Sequence, residues 1–237
     1  MLNRKSEVRP IVSELLDTYQ VLGLESFCAA FYEKLLQQKV KFPLLEFAAE
    51  ETYQQLDETE HLPFCRQIAA HQTMGGNVVV AIILKERIPK HLNESFAEAA
   101  KFIAQGQEWY VSDLIGERVF GNGILQFPEE ALEKLKRLRE HESKWVVRSI
   151  GAGSHLATKR GINKEVATKV LQLLLSLGDS KEHQVRKGIG WAAKTMARFH
   201  PDIIELHRKE IAAASIGNWF RRKVNIGLER HRHAQSH

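Results

Sequence analysis

Apolar residues recur along most of the chain at three- and four-residue spacing, as in "EEALEKLKRLREH" at 129–141 and "EVATKVLQLLLSL" at 165–177. That spacing is the signature of helices with one buried face, not of alternating strands. "NVVVAIIL" at 77–84 is β-branched and compatible with a strand, but its helical surroundings favour a buried helix there. The periodic stretches are separated by short breaks: "KFP", "EHLP", "RIPKHLN", "GNGILQFP", "KRGIN", "LGDS" and "FHP". Pro128 and Pro201 each stand just before a helical pattern, where a missing N–H is harmless. "GNG" at 121–123 reads as a helix C-cap and turn. The expected fold class is all-α.

The breaks are too regular for an irregular bundle. "SFCAAF" at 26–31 echoes "PFCRQI" at 63–68, and "SKWVVRSIGAG" at 143–153 echoes "HQVRKGIGW" at 183–191. Extending this register aligns Asn77, Asp113, Arg148, Arg186 and Arg222 at steps of 36, 35, 38 and 36. A period of that length means helix pairs that bury their apolar faces only by stacking on one another. The expected architecture is a HEAT-like helix-pair repeat solenoid of about six pairs, C-shaped with a basic concave face. It should form a single domain over 1–237, with N-terminal acidic helices in 1–60 and the repeats that carry the polar and charged surface in 61–237. Equivalent positions on successive second helices would line one surface, so Asn77, Asp113, Arg148, Arg186 and Arg222 should share it. "GAGSH" at 151–155 lacks the strand–turn–helix setting of a nucleophile or phosphate loop; small residues for close helix packing explain it better.

Composition adds little beyond an ordinary globular balance, with 43% hydrophobic and 27% charged residues. No run approaches the roughly 18 apolar residues of a membrane span. The two cysteines, Cys28 and Cys65, give neither a disulfide framework nor a metal-ligand set, so buried reduced thiols and a cytosolic location are expected. "HRHAQSH" at 231–237, with His200 and His207, lacks carboxylate or Cys partners at ligand spacing, so no metal is assigned. Charge distribution is more informative than the net +5. Residues 1–60 carry a balance of −5 and residues 143–237 a balance of +11. A basic half of that size suits a polyanion, although a merely solvated basic surface would give the same count.

Two constellations carry candidate chemistry. "RKGIGWAAKTMARF" puts Lys187, Trp191, Lys194 and Arg198 on one helical stripe, cations for phosphates and an indole for sugar or base. Core packing of Trp191 and snorkelling cations are the bland alternative. Upstream, "GQEWYVSDLIGERVFGNG" places Trp109 and Asp113 one turn apart on one face. Taken alone, Trp109 could be core, and Asp113 could be ion-paired within its helix near Glu117 and Arg118.

Together, "EWYVSD", "WVVR" and "RKGIGWAAK" resemble the AlkD-like family of DNA alkylation repair glycosylases. That family carries W-x-x-x-D, an Arg one repeat later, and then K-x-I-G-W-x-x-[RK]. The agreement spans roughly residues 60–230, while Glu108 and Tyr110 depart from the family's usual flanking residues. The resemblance implies a monofunctional DNA N-glycosylase acting on cationic N3- or N7-alkylated purines in double-stranded DNA, without metal or cofactor. Asp113 would be the catalytic carboxylate, and Trp109 and Trp191 the indoles against the deoxyribose. Arg148 would hold the phosphate backbone, with Lys194 placed similarly. The register and the stripe add Lys187, Arg186 and Arg222 to the DNA-binding surface. The chemistry is consistent: a cationic purine leaves readily, and the remaining sugar cation is stabilised by a carboxylate and by indole faces. The protein is expected to be a monomer of the cytosol, nucleoid-associated when on DNA and not bound to membranes. A catalytically silent DNA-structure binder of the same family and a protein-binding HEAT scaffold remain the alternatives. Strong salt dependence of DNA binding separates the scaffold from the other two.

Overall fold

The computed structural model describes residues 2–236, and these are almost entirely helical. Among them the sole β-type pairing is an isolated bridge between Leu2 and Val40, so the all-α expectation holds. "NVVVAIIL" lies within a helix, and Val78, Val79, Val80, Ala81 and Ile83 are fully buried there. Burial on every side explains the absence of polar alternation in that stretch.

The chain divides into two compact units, one up to His91 and one from Leu92 onward. In the first, α1 (Lys5–Phe31) packs on α2 (Phe42–Gln55) and α3 (His61–Ala70). Its core is aromatic: Phe27, Phe31 and Phe64 meet at centroid distances of 5.4 to 5.8 Å. Cys28 and Cys65 are buried, reduced thiols that stand next in sequence to residues of this cluster. Burial, with Glu60 adding to it, pushes the Cys28 thiol up to about 12, so it stays a protonated core group.

Helix α4 (Met74–Gly106) runs through the division. The expected break at "RIPKHLN" is a kink inside this helix rather than a loop, with Pro89 in the interior and His91 at φ −136°, ψ 45°.

In the second unit the helices form two layers. α5 (Trp109–Ile115) continues into a π-helical turn over Gly116–Gly121, then α6 (Asn122–Gln126) and α7 (Pro128–Leu138). α8 (Lys144–Arg160), α9 (Lys164–Leu175), α10 (His183–Phe199), α11 (Pro201–Leu206), α12 (Arg208–Ala212) and α13 (Asn218–Gln235) follow. The π turn packs on α8, α8 on α10, and α10 on α13, while α7, α9 and α11 pair behind them. This succession is the stacking of helix pairs that the repeat register implied.

Glycines decide how closely that inner layer packs. A methyl on Gly151 would lie 2.2 Å from the backbone carbonyl atoms of Gly188, and one on Gly188 would lie 2.4 Å from the Arg148 carbonyl oxygen. "GAGSH" is therefore a helix-crossing surface, as its small residues suggested. "GNG" is a correction: Gly121, Asn122 and Gly123 are all helical, and the helix runs to Gln126. Gly123 serves packing, because a methyl there would sit 2.5 Å from the Phe96 ring. The left-handed cap occurs instead at Gly161, φ 93°, which closes α8. Pro128 and Pro201 occupy the first turns of α7 and α11.

Candidate active site

The residues converge from three neighbouring helices of the inner layer. Gln107, at φ 49°, turns the chain out of α4, and Glu108 then precedes α5, so that Trp109 opens the helix with 53% of its surface exposed. Tyr110 braces the indole edge-on at 6.0 Å. One turn later Asp113 faces α8.

There Arg148 grips it in a fork: Nε donates to Oδ1 at 2.9 Å and Nη2 to Oδ2 at 2.7 Å. Nη1 donates to Oε1 of Gln184 on α10 at 3.0 Å. Side-chain exposure is only 16% for Asp113 and 10% for Arg148. A two-pronged pair so far out of water fixes the carboxylate in position and plane. It also closes the question of a local pair, since the partner of Asp113 lies one repeat away rather than at Arg118, whose Nη1 reaches the Leu114 carbonyl. Arg148 is met as the partner of Asp113 and Gln184, not as a cation turned freely toward a backbone. Asn77, expected on the shared surface, is buried and donates to the Thr73 carbonyl at 2.9 Å.

Trp191 lies two turns along α10 from Gln184, on the same face. His155, two turns along α8 from Arg148, stacks on it with centroids 3.9 Å apart and planes 25° from parallel. Thr195 donates to the Trp191 carbonyl at 3.1 Å, and His155 Nδ1 is 2.7 Å from its hydroxyl oxygen. With the hydroxyl proton used, His155 is assigned as the Nδ1–H donor. Desolvation, with Lys159 and Lys194 nearby, pushes the imidazole down to about 4.

That depression has a stability consequence. The unfolded histidine takes up a proton below about pH 6.5, whereas the folded one does so only near 4. The unfolded chain binds more protons between these values, so stability falls on acidification through that window. Burial shifts His61 and His200 in the same direction. Replacing His155 with Phe keeps a ring under Trp191 and removes one titration. The melting temperature of that variant should drop less than the wild type's between pH 7 and pH 4.5. Equal drops would show that His155 does not titrate across folding.

The basic surface continues from α10 to α13. Lys187 and Arg222 are exposed, and the Arg186 guanidinium stands 5.8 Å over the Trp219 ring. Lys194 is pushed below its ordinary value by burial and then by Arg230 and Lys223. Crowded like charges of this kind favour an anionic partner. At the C-terminal end of α13, His231 Nδ1 bonds to the Arg198 carbonyl at 2.8 Å, and His237 lies outside the described residues. No described helix is long and apolar enough to cross a membrane.

Gln184, His155 and Trp219 were missed in the sequence. The signal for the first two was present: adding seven to Arg148 gives His155, and adding seven to Gln184 gives Trp191. Two faces with the same rise were therefore available to be paired.

AlkD2 from Streptococcus mutans has a crystal structure that aligns with a TM-score of 0.71 at 13% identity, covering 87% of this chain and 98% of that one. At that identity the likeness concerns the fold. An engineered protein aligns with a TM-score of 0.43 at 13% identity over 94% of this chain and 96% of its own, too loosely to argue from. No curated protein matches the chain. The family model described as DNA alkylation repair enzyme matches residues 25–210, which include Trp109, Asp113, Arg148 and Trp191, and the chain belongs to that family.

Proposed function

We propose that the protein is a monofunctional DNA N-glycosylase that removes cationic N3- and N7-alkylated purines from double-stranded DNA. The observation that carries this reading is the pinned carboxylate: Asp113 held by Arg148, which is itself held by Gln184. A site meant to stabilise a short-lived cation needs its negative charge placed in advance, so that nothing must reorganise during the reaction.

In the proposed reaction the C1′–N bond breaks and its electron pair moves into the purine ring. The alkylated base leaves neutral, without needing an acid. The sugar becomes an oxocarbenium ion, stabilised by Asp113 and flanked by the indoles of Trp109 and Trp191. Water forms the new C1′–O bond and gives up a proton, for which Asp113 is the acceptor. Each carboxylate oxygen keeps a second lone pair beside the one used by Arg148, so pairing does not block this role. The products are a free alkylpurine, an abasic site and a proton. Arg148 is a positioning residue here, and Lys187, Lys194, Arg186 and Arg222 supply the field that attracts the backbone.

The test is release of 7-methylguanine or 3-methyladenine from methylated duplex DNA by the purified protein. A silent DNA-structure binder is the second reading, favoured by the same ion pair, because Arg148 neutralises Asp113. Binding of methylated duplex without base release would select it. In either case Arg222→Gln should weaken duplex binding and flatten the logarithmic salt slope by about one unit. An unchanged slope would remove Arg222 from the DNA surface.

A further inference from the structure

Helices α10 and α13 enclose a cleft of about 320 Å³. Arg186, Lys187, Arg222 and Lys223 line it together with Trp219 and Ile226, and no Asp or Glu is among its lining residues. The cleft is built rather than incidental. The Trp219 ring carries the Arg186 guanidinium at 5.8 Å, which limits the freedom of an otherwise mobile fork. The Lys223 stem lies against α10 at Gly190, where a methyl would come within 3.0 Å of its Cγ. Lys194 is depressed partly by Lys223 and Arg230, so the positive field extends along the groove.

The mixture of groups narrows the ligand. Four cations without a carboxylate call for an anion, and Arg forks suit phosphate oxygens. A bare phosphate gains nothing from an indole and an isoleucine, whereas a phosphate carrying a flat base does. The volume sits at the low end of the roughly 300–1,000 Å³ typical of small-ligand sites, which is room for one nucleotide and not for a duplex. In a duplex, base faces are covered by their neighbours, so only an unpaired base can present a face to an indole.

We propose that this cleft binds one unpaired nucleotide of a DNA strand, with its phosphate on Arg186, Lys187 and Arg222 and its base against Trp219 and Ile226. The proposal rests on the glycosylase reading only for DNA as the partner, not for base excision. A strand looped out or frayed beside the duplex contact would supply such a nucleotide.

The experiment compares oligothymidine with an abasic oligomer of equal length and charge, by fluorescence anisotropy at fixed low salt. Wild-type protein should bind oligothymidine more tightly than the abasic strand. Trp219→Leu should weaken oligothymidine binding about fivefold or more, in line with base–indole stacking, and leave abasic binding nearly unchanged. Trp219→Phe should recover most of the loss, which guards against a merely structural effect, and Arg222→Gln should weaken both strands. The idea is overturned if wild type binds the two strands equally. It is also overturned if Trp219→Leu weakens both alike, because Trp219 would then only hold Arg186. Polyglutamate competing as well as oligothymidine would likewise reduce the cleft to a reader of charge. Base release from methylated duplex is measured separately, in the wild-type protein. Strand binding without release would sink excision and leave the cleft, while release without Trp219-dependent binding would do the reverse.

Discussion

Replacing Asp113 with Asn should slow release of methylated purines from duplex DNA by about 10²- to 10³-fold, the usual worth of one preorganised charged or polar group in a catalytic site. Asn keeps the size of the side chain and removes the charge that faces the sugar cation. It also disturbs Arg148. The guanidinium now donates to both carboxylate oxygens, whereas an amide offers one acceptor and turns an N–H toward a donor. A buried cation stripped of its partner is strongly destabilising, by up to about 3–5 kcal/mol, less here because both side chains keep some contact with water. Lost rate and lost stability therefore arise together and must be separated. The double variant Asp113→Asn with Arg148→Gln is neutral at both positions, and it should regain melting temperature without regaining rate. DNA binding should hold in the single variant, since removing an anion from a basic surface relieves repulsion. A double variant that released base at the wild-type rate would exclude Asp113 as the stabilising charge.

What could be read in advance follows from which contacts are local. Helices, their proline starts and the crossing at Gly151 were legible, because periodicity and residue size are properties of a single segment. The register also set Asp113 and Arg148 35 residues apart on one surface. Their pairing was not legible. The register places both on one surface but leaves open whether they face each other or a ligand. Asn77 shows the same limit, since a polar side chain can satisfy itself on its own helix through the Thr73 carbonyl. "GNG" misled because glycine serves turns and close packing equally, and the Phe96 ring that decides the matter is distant in sequence. Trp219 was passed over because it lies outside the stripe on α10, and its relation to Arg186 exists only once α13 is packed against that helix.

Gly151→Ala should lower both melting temperature and base release, although alanine is the better helix former. The intrinsic preference favours Ala by about 1 kcal/mol. Against it stands a methyl 2.2 Å from the carbonyl carbon and oxygen of Gly188 and 2.6 Å from the Ile189 nitrogen. All three are backbone atoms, so no side chain can turn aside and the helices must separate. Overpacking of this kind typically costs about 1–3 kcal/mol and occasionally more. With the clash this severe the penalty outweighs the helical gain, and a fall of several degrees is expected for a chain of this size, at about 2–4 °C per kcal/mol. The separation acts on the site as well. The glycine crossing lies between the Arg148–Gln184 bond and the His155–Trp191 stack, so moving α10 outward loosens both. Gly161→Ala provides the comparison. At φ 93° it strains the backbone, yet a methyl there meets nothing within 4 Å, so stability should fall while base release per folded molecule stays at the wild-type level. If Gly151→Ala melted at or above the wild-type temperature, the tight α8–α10 crossing would not be what sets the site.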